Sequence, residues 1–242
     1  YQKAKFKVFG VYDINPEQSA KIANSWNLKA FGSLDSLISS AQSQNAVFDL
    51  ALPPSAVSNV LEQLPEQATV LIQKPMCSDL EEAKLIKAIC ERKKLRAAVN
   101  FQLRFSPMML TLKDAMSKGH LERILDLEVH LNLEASWELF PFLKKMERVE
   151  IAVHSIHYLD LILSFLGTPK SVWAQTLAHP STPDFAQTRT SAILNYGPEI
   201  RCVLSINHNY TKGPKYQTAQ IRFDCQQGAA AVKLGLLLDY PK

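Results

Sequence analysis

A lysine and two histidines are the residues of this chain whose type and spacing suggest acid–base chemistry. Lys74 follows an apolar run and stands before Pro75, and His154 and His157 lie three residues apart. A lysine at the carboxyl end of a buried parallel strand lies where open α/β sheets bind their ligands. A three-residue spacing puts both histidines on one face of a helix. Lys74 and a histidine facing one cleft could hold and move a proton while a hydride moves elsewhere.

Each of these residues also has an interpretation without chemistry. Lys74 could be a surface lysine in a loop between a strand and a helix, and either histidine could be a core residue bonded to the backbone. The spacing of His154, His157 and Asp160 also leaves a metal site open. Because no further cluster of ligand residues is visible, we expect no metal.

Two further charged residues could contact a cofactor. Asp13 ends a predicted strand, where an acid hydrogen-bonds the ribose hydroxyls of a dinucleotide and repels a 2′-phosphate, so NAD is expected rather than NADP. The alternative for Asp13 is a turn or capping residue before a helix that begins at Asn15-Pro16. Arg104 follows the last strand of the first half and could face the cleft; the interpretation we favour is that it holds the crossover between two domains.

Strands alternate with helices through the first hundred residues. This alternation predicts a parallel, doubly wound sheet in a first domain over 1–101, which the resemblance described below implies is a dinucleotide-binding domain. The predicted strands are 6–12, 46–52, 69–72 and 96–100, and the predicted helices are 16–26, 34–40, 55–64 and 79–94.

The pattern changes after residue 102. Helices at 106–117 and 149–166 and a strand at 124–133 come first, and consecutive strands follow. This order predicts an α+β domain over 102–242 with a large, mostly antiparallel open sheet. The later predicted strands are 171–176, 188–196, 200–208, 219–224 and 229–238.

Composition excludes some classes of partner. The net charge is only +4, and the basic run at 92–96 has no interleaved aromatic residues, so we expect no nucleic-acid partner. No stretch is long and apolar enough to cross a membrane, and no signal peptide is visible. The four cysteines show no CxxC spacing and are predicted to be reduced thiols of a cytoplasmic protein.

Glycine is scarce, and its positions matter. The chain has eight glycines and no GxGxxG. A dinucleotide site without that turn lacks its pyrophosphate cradle.

Five short segments, in order along nearly the whole chain, carry a family resemblance: VYDINPE at 11–17, LPPS at 52–55, IQKP at 72–75, NFQLRFSP at 100–107 and HYLD at 157–160. Together they resemble the glucose–fructose oxidoreductase and inositol dehydrogenase (Gfo/Idh/MocA) family of NAD(P)-dependent oxidoreductases. The resemblance implies a Rossmann domain followed by a domain whose open sheet forms a homodimer or homotetramer.

The resemblance also implies a function. It suggests hydride transfer between NAD(H) and a sugar, cyclitol or related polyol, with Lys74 and His157 handling the proton and His154 as a second candidate. The residues that would contact the cofactor are Asp13, Leu52, Pro53, Pro54, Gln73, Lys74 and Arg104.

Three departures from the family pattern support an alternative. Gln73 stands where the family has Glu, Val153 stands where it often has Asp, and its first strand and glycine turn would precede Tyr1. We expect a longer protein that contains this upstream strand. The alternative is a non-catalytic family member that senses a ligand or acts as a scaffold.

Overall fold

The computed structural model describes residues 1–235, which form two compact units. Unit 1 comprises Tyr1–Met76 and Leu80–Asn100, and unit 2 comprises Cys77–Asp79 and the chain from Phe101 onward. Each unit has its own sheet.

Unit 1 is built on a small parallel sheet in the order β1-β2-β3. Leu50, Ile72 and Val99 lie side by side at the carboxyl ends of the three strands. Helices connect the strands, as the alternation of the sequence predicts. The elements are α1 (Pro16–Trp26), α2 (Leu34–Gln42), β1 (Val47–Leu50), α3 (Pro54–Gln63), β2 (Thr69–Ile72), α4 (Leu80–Arg92) and β3 (Arg96–Val99).

Local sequence explains where α1 begins. Asn15 is the N-cap, its side chain accepts a hydrogen bond from the Glu17 amide, and Pro16 occupies the first helical position. Proline lacks the amide hydrogen that would be unsatisfied there, and its backbone angle already suits a helix. The predicted cap is confirmed.

The prediction of a strand at 6–12 is wrong. This segment makes one isolated parallel bridge, Val11 with Ala30. The Val11 amide donates to the Lys29 carbonyl and the Phe31 amide donates to the Val11 carbonyl, both at 2.9 Å. An apolar segment forms a strand only where a neighbouring segment pairs with it along its length. Here the pairing segment is only residues 29–31.

Gly10 permits this close pairing. A Cβ atom at Gly10 would lie 2.5 Å from Cε2 of Phe31 and 2.7 Å from the Lys29 carbonyl oxygen. The carbonyl is backbone and cannot rotate away as a flexible side chain would.

Unit 2 contains a six-stranded sheet in the order β5-β6-β7-β4-β8-β9. Strands β4 and β7 are parallel, and every other neighbouring pair is antiparallel. The fold class predicted from the sequence is confirmed. The elements are α5 (Pro107–Ser117), β4 (Ile124–Asn132), a π-helical turn (Ile151–Ser155), α6 (Ile156–Leu166), β5 (Ser171–Leu177), β6 (Arg189–Asn195), β7 (Arg201–Asn207), β8 (Thr218–Cys225) and β9 (Gly228–Lys233).

Helices α5 and α6 cover one face of this sheet. Met109 and Leu112 of α5 and Leu161 and Ile162 of α6 are buried in one core with alternate residues of the central strands. The alternation of buried and exposed residues along β6 and β7 is that of a sheet with one covered face. The last predicted strand, 229–238, corresponds to β9, and its residues 236–238 lie outside the described part of the chain.

Two observations bear on the wider expectations. No helix of residues 1–235 combines the length and the apolar character that crossing a bilayer requires. All four cysteines are free thiols, and burial raises the pKa of Cys202 to about 12. The cytoplasmic location stays a prediction.

Gly10→Ala tests the close pairing of the two segments in unit 1. We expect it to lower the free energy of unfolding by about 1–3 kcal/mol, because the new Cβ forces the backbone of 29–31 away. The control is Gly32→Ala, since a Cβ at exposed Gly32 meets no atom within 4 Å. Urea denaturation of both variants provides the comparison, and equal stabilities would contradict the packing described for Gly10.

Candidate functional site

The carboxyl edge of the unit 1 sheet gathers most of the predicted cofactor residues. Parallel strands end at the same edge, which is where open α/β sheets bind ligands. The segments that follow β1 and β2 therefore lie side by side, and Asp13 follows the Val11–Ala30 bridge. The predicted residues in unit 1 are Asp13, Leu52, Pro53, Pro54, Gln73 and Lys74.

Gln73 is the centre of a hydrogen-bonded chain at this edge. Asn100 Nδ2 donates to Gln73 Oε1 at 2.8 Å, and Gln73 Nε2 donates to Asp49 Oδ1 at 2.7 Å. The Tyr1 hydroxyl donates to Asp49 Oδ2 at 2.6 Å, and this bond, with burial, raises the pKa of Tyr1 to about 12. A glutamate at position 73 has no proton to donate to Asp49. Glutamine at position 73, where the family has glutamate, therefore suits a hydrogen bond to Asp49.

Lys74 follows Gln73, the centre of these hydrogen bonds, in the sequence. Its side chain is half-buried, and the Lys74–Pro75 peptide bond is cis. Partial burial distinguishes Lys74 from an ordinary solvated loop lysine. Its catalytic role stays a prediction.

Asp13 has the contacts of a turn residue. Its Oδ1 accepts a hydrogen bond from the Asn15 amide at 2.8 Å. That contact fits the alternative given for Asp13 from the sequence, and it leaves Oδ2 able to accept further hydrogen bonds. The predicted contact with a ribose stays a prediction.

Arg104 of unit 2 forms a two-pronged ion pair with Asp160. Arg104 Nε donates to Asp160 Oδ2 at 2.8 Å and Nη2 donates to Oδ1 at 2.5 Å. The side chains are 33% and 13% exposed. Arg104 lies in the turn Gln102–Phe105 and Asp160 in α6, so the pair fastens this turn to the helix. The pair gives Arg104 a structural contact within unit 2, and its roles at the domain crossover and in cofactor binding stay predictions.

His154 and His157 have different surroundings, although both lie in one helical segment. His157 is half-buried in the first turn of α6, and its ring meets the Phe101 ring edge-on, with centroids 6.1 Å apart. His154 lies in the π-helical turn, and its ring stacks on His208 with centroids 3.9 Å apart. Asp160 pairs with Arg104, so the structure does not support a metal site made of His154, His157 and Asp160. His154 belongs to a different group of side chains.

That group surrounds the carboxylate of Glu150, which is fully buried. Glu150 Oε2 lies 2.8 Å from His208 Nδ1 and 3.7 Å from His154 Nδ1, and Ser155 Oγ donates to Oε1 at 3.1 Å. Burial by itself raises the pKa of Glu150, but His208 and His154 outweigh burial and hold this pKa at about 2. The carboxylate is therefore ionised inside the protein.

Trp137 covers this cluster. Its ring meets His154 edge-on at 4.9 Å, and its Nε1–H donates to Asn209 Oδ1 at 2.6 Å. Asn209 Nδ2 in turn donates to Thr188 Oγ1 at 3.0 Å. Trp137 is itself buried, so its ring belongs to the interior of unit 2.

Sequence reasoning missed Glu150 and His208. The signal available for Glu150 is a single acid between Val149 and Ile151, four residues before His154. An acid at i and a histidine at i+4 lie on one helix face. No local pattern identifies His208.

Comparison with known protein families and curated proteins gives partial matches. Residues 1–101 match the model described as the oxidoreductase family with an NAD-binding Rossmann fold, which confirms the resemblance seen in the sequence. Glucose-6-phosphate 3-dehydrogenase of Bacillus subtilis (strain 168) is 29% identical over 126 residues, 51% of this chain and 35% of the relative. UDP-N-acetylglucosamine 3-dehydrogenase of Acidithiobacillus ferrooxidans is 27% identical over 161 residues, 65% of this chain and 46% of the relative. The chain thus spans less than half the length of both.

Solved structures share the fold over most of the chain. UDP-N-acetylglucosamine 3-dehydrogenase from Acidithiobacillus ferrooxidans superposes with a TM-score of 0.73 at 21% identity, covering 93% of this chain and 68% of the other. The WlbA dehydrogenase from Bordetella pertussis, in complex with NADH and UDP-GlcNAcA, gives 0.76 at 20% identity, covering 96% and 73%. At these identities the likeness shows the fold alone.

Arg104→Ala tests the ion pair of unit 2. We expect it to lower the free energy of unfolding by about 1–3 kcal/mol, because the largely buried Asp160 loses its charged partner. The control is Arg123→Ala, whose pair with Glu199 is 52% and 64% exposed and should contribute about 0–1 kcal/mol. Denaturant titration distinguishes them; a loss no larger for Arg104 than for Arg123 would show that the clamp contributes nothing to stability.

Proposed function

We propose that this chain, whose residues 1–101 belong to the oxidoreductase family with an NAD-binding Rossmann fold, is part of a dehydrogenase acting on a sugar, cyclitol or related polyol. The observation that carries the proposal is that family match, on a parallel sheet whose first two strands end just before Leu52, Pro53, Pro54, Gln73 and Lys74. The curated relatives described above are named as sugar dehydrogenases, which supports the substrate class.

The carboxyl edge of the unit 1 sheet has groups that suit a dinucleotide. NAD(P), when bound, accepts or gives the hydride. Asp13 would accept hydrogen bonds from the ribose hydroxyls, and half-buried Leu52 with exposed Pro53 would present an apolar surface to a ring. Pro54 is buried at the start of α3 and would fix the course of this segment.

Lys74 and His157 are assigned to the proton of the reacting hydroxyl. Lys74 would donate a hydrogen bond to the substrate oxygen and stabilise negative charge there. His157 would accept the proton during oxidation and return it during reduction. Gln73 would keep the Lys74 backbone in place through its bonds to Asp49 and Asn100. His154, the second candidate for the proton, is stacked on His208 and is assigned to the Glu150 group instead.

The open face of the unit 2 sheet suits the predicted homodimer or homotetramer. Trp173 of β5 and Ile193 of β6 are register partners, and their side chains are 58% and 51% exposed. Large apolar side chains on an open sheet face favour burial against a partner. The assembly stays a prediction.

Lys74→Met and His157→Asn test the proton assignment. We expect each to lower kcat by about 10²–10⁴-fold, the usual contribution of a positioned acid or base. The control is Lys87→Met in α4, whose side chain is 76% exposed and pairs only with Glu91 among the ion pairs of residues 1–235. The assay follows NAD(P)H absorbance of the full-length protein across a panel of sugar phosphates, nucleotide sugars and inositols.

The same panel tests the proposed activity itself. Turnover of at least one hydroxyl substrate supports a dehydrogenase. Cofactor binding without turnover of any member would favour the non-catalytic alternative, and wild-type kcat in both variants would contradict the assignment of the proton.

Asp13→Ser tests the cofactor preference. We expect the wild-type protein to bind NAD more tightly than NADP, because the Asp13 carboxylate repels a 2′-phosphate. The serine variant should lose about tenfold or more of this preference, since one close charge pair is worth roughly 1.4 kcal/mol or more. Fluorescence titration with both cofactors measures it. Asp35→Ser, which removes an exposed acid from α2, is the control. Equal or tighter NADP binding by the wild type would contradict the role of Asp13.

A further inference from the structure

The Glu150 cluster brings three metal-binding side chains into the interior of unit 2. One ligand atom from each of Glu150, His154 and His208 lies within 4.8 Å of the other two. Glu150 is 0% exposed, and the side chains of His154 and His208 are 15% and 2% exposed. Small shifts of these side chains would bring all three atoms to one ion.

The backbone places these ligands from two directions. Glu150 and His154 are four residues apart on the helical segment, and His208 directly follows β7. The π-helical turn Ile151–Ser155 lies between the first ligand and α6. Such turns widen a helix locally and are frequent at functional sites. The turn carries His154 onto the ring of His208, away from His157.

The donor set has a definite chemical preference. Two imidazole nitrogens and one carboxylate oxygen form the His₂Glu set of zinc sites, and imidazole also suits iron, nickel and copper. Calcium and magnesium prefer oxygen ligands only. The two imidazole rings stack with centroids 3.9 Å apart, so their nitrogens reach the same place.

Neighbouring side chains hold the ligands in place. Ser155 Oγ donates to Glu150 Oε1, and Trp137 packs edge-on against the His154 ring. Asn209, the residue after His208, is held by Trp137 Nε1 at 2.6 Å and by Thr188 Oγ1 at 3.0 Å. Groups that fix the orientation of ligands in this way typically raise metal affinity.

We propose that Glu150, His154 and His208 bind one divalent transition-metal ion of the zinc type. The ion joins the start of the helical segment to the end of β7 beneath Trp137. The proposal does not depend on the dehydrogenase function. The alternative is that no ion binds and that Glu150 is held by Ser155 and its two histidines alone. The experiment distinguishes these two states.

The test uses the full-length protein, purified without a histidine tag and without chelators. Elemental analysis should find about one zinc or similar ion per chain. After chelation and dialysis, Co²⁺ should restore about one equivalent and give the visible absorption of a site with fewer than six ligands. Zinc should then displace that absorption, and the melting temperature should rise with the metal.

Two variants and one control locate the ion. Glu150→Gln keeps the shape but removes the charge, and His154→Asn removes one ligand. Each should weaken Co²⁺ binding by about tenfold or more, since even partners behind the ligands contribute 10–100-fold. His120→Asn, which removes an exposed histidine of the same unit, should bind as the wild type does.

The wild-type titration decides the matter even where a variant fails to fold. Absence of any stoichiometric metal, together with a melting temperature that Zn²⁺ and Co²⁺ leave unchanged, would overturn the proposal. Binding that His120→Asn weakens as much as His154→Asn does would show scattered surface association and would overturn it equally.

Discussion

A buried negative charge constrains most of unit 2. The carboxylate of Glu150 has no contact with water, so the groups that stabilise it must come from the protein. Ser155 and His154 approach from the π-helical turn, and His208 approaches from the end of β7. The course of the π-helical turn and the place where β7 ends are therefore linked. A shift of either would remove one of the partners of this charge.

Unit 1 depends on alignment rather than on one charge. Its strands are parallel and in register, so residues far apart in the chain emerge side by side at one edge. Asp49, Gln73 and Asn100 come from three different strand ends and form one hydrogen-bonded chain. Lys74, the proposed reactive lysine, directly follows Gln73, the middle residue of this hydrogen-bonded chain. The geometry of the sheet therefore fixes the position of the Lys74 backbone.

Local information predicts the elements, and distant pairing explains the failures. The cap at Asn15 and the alternation of strands with helices involve neighbours in sequence, and the structure has both. The apolar run at 6–12 has the composition of a strand but a short partner, which composition does not reveal. The site shows the same limit. Position after a strand identified Lys74, whereas Arg104 meets Asp160 across 56 residues and Glu150 meets His208 across 58. Nothing local marks such partners, because the fold alone brings them together.

The chain of hydrogen bonds through Gln73 has a direction, and that direction limits which side chains can stand at positions 49 and 73. The Gln73 side-chain oxygen accepts a hydrogen bond from Asn100, and its side-chain nitrogen donates one to Asp49. Neither a carboxylate nor an amide with its oxygen and nitrogen exchanged could make both bonds. A glutamate at position 73 would set two negative charges against each other unless position 49 carried no charge. The two positions are therefore coupled: the charge at position 49 decides which side chains position 73 can tolerate.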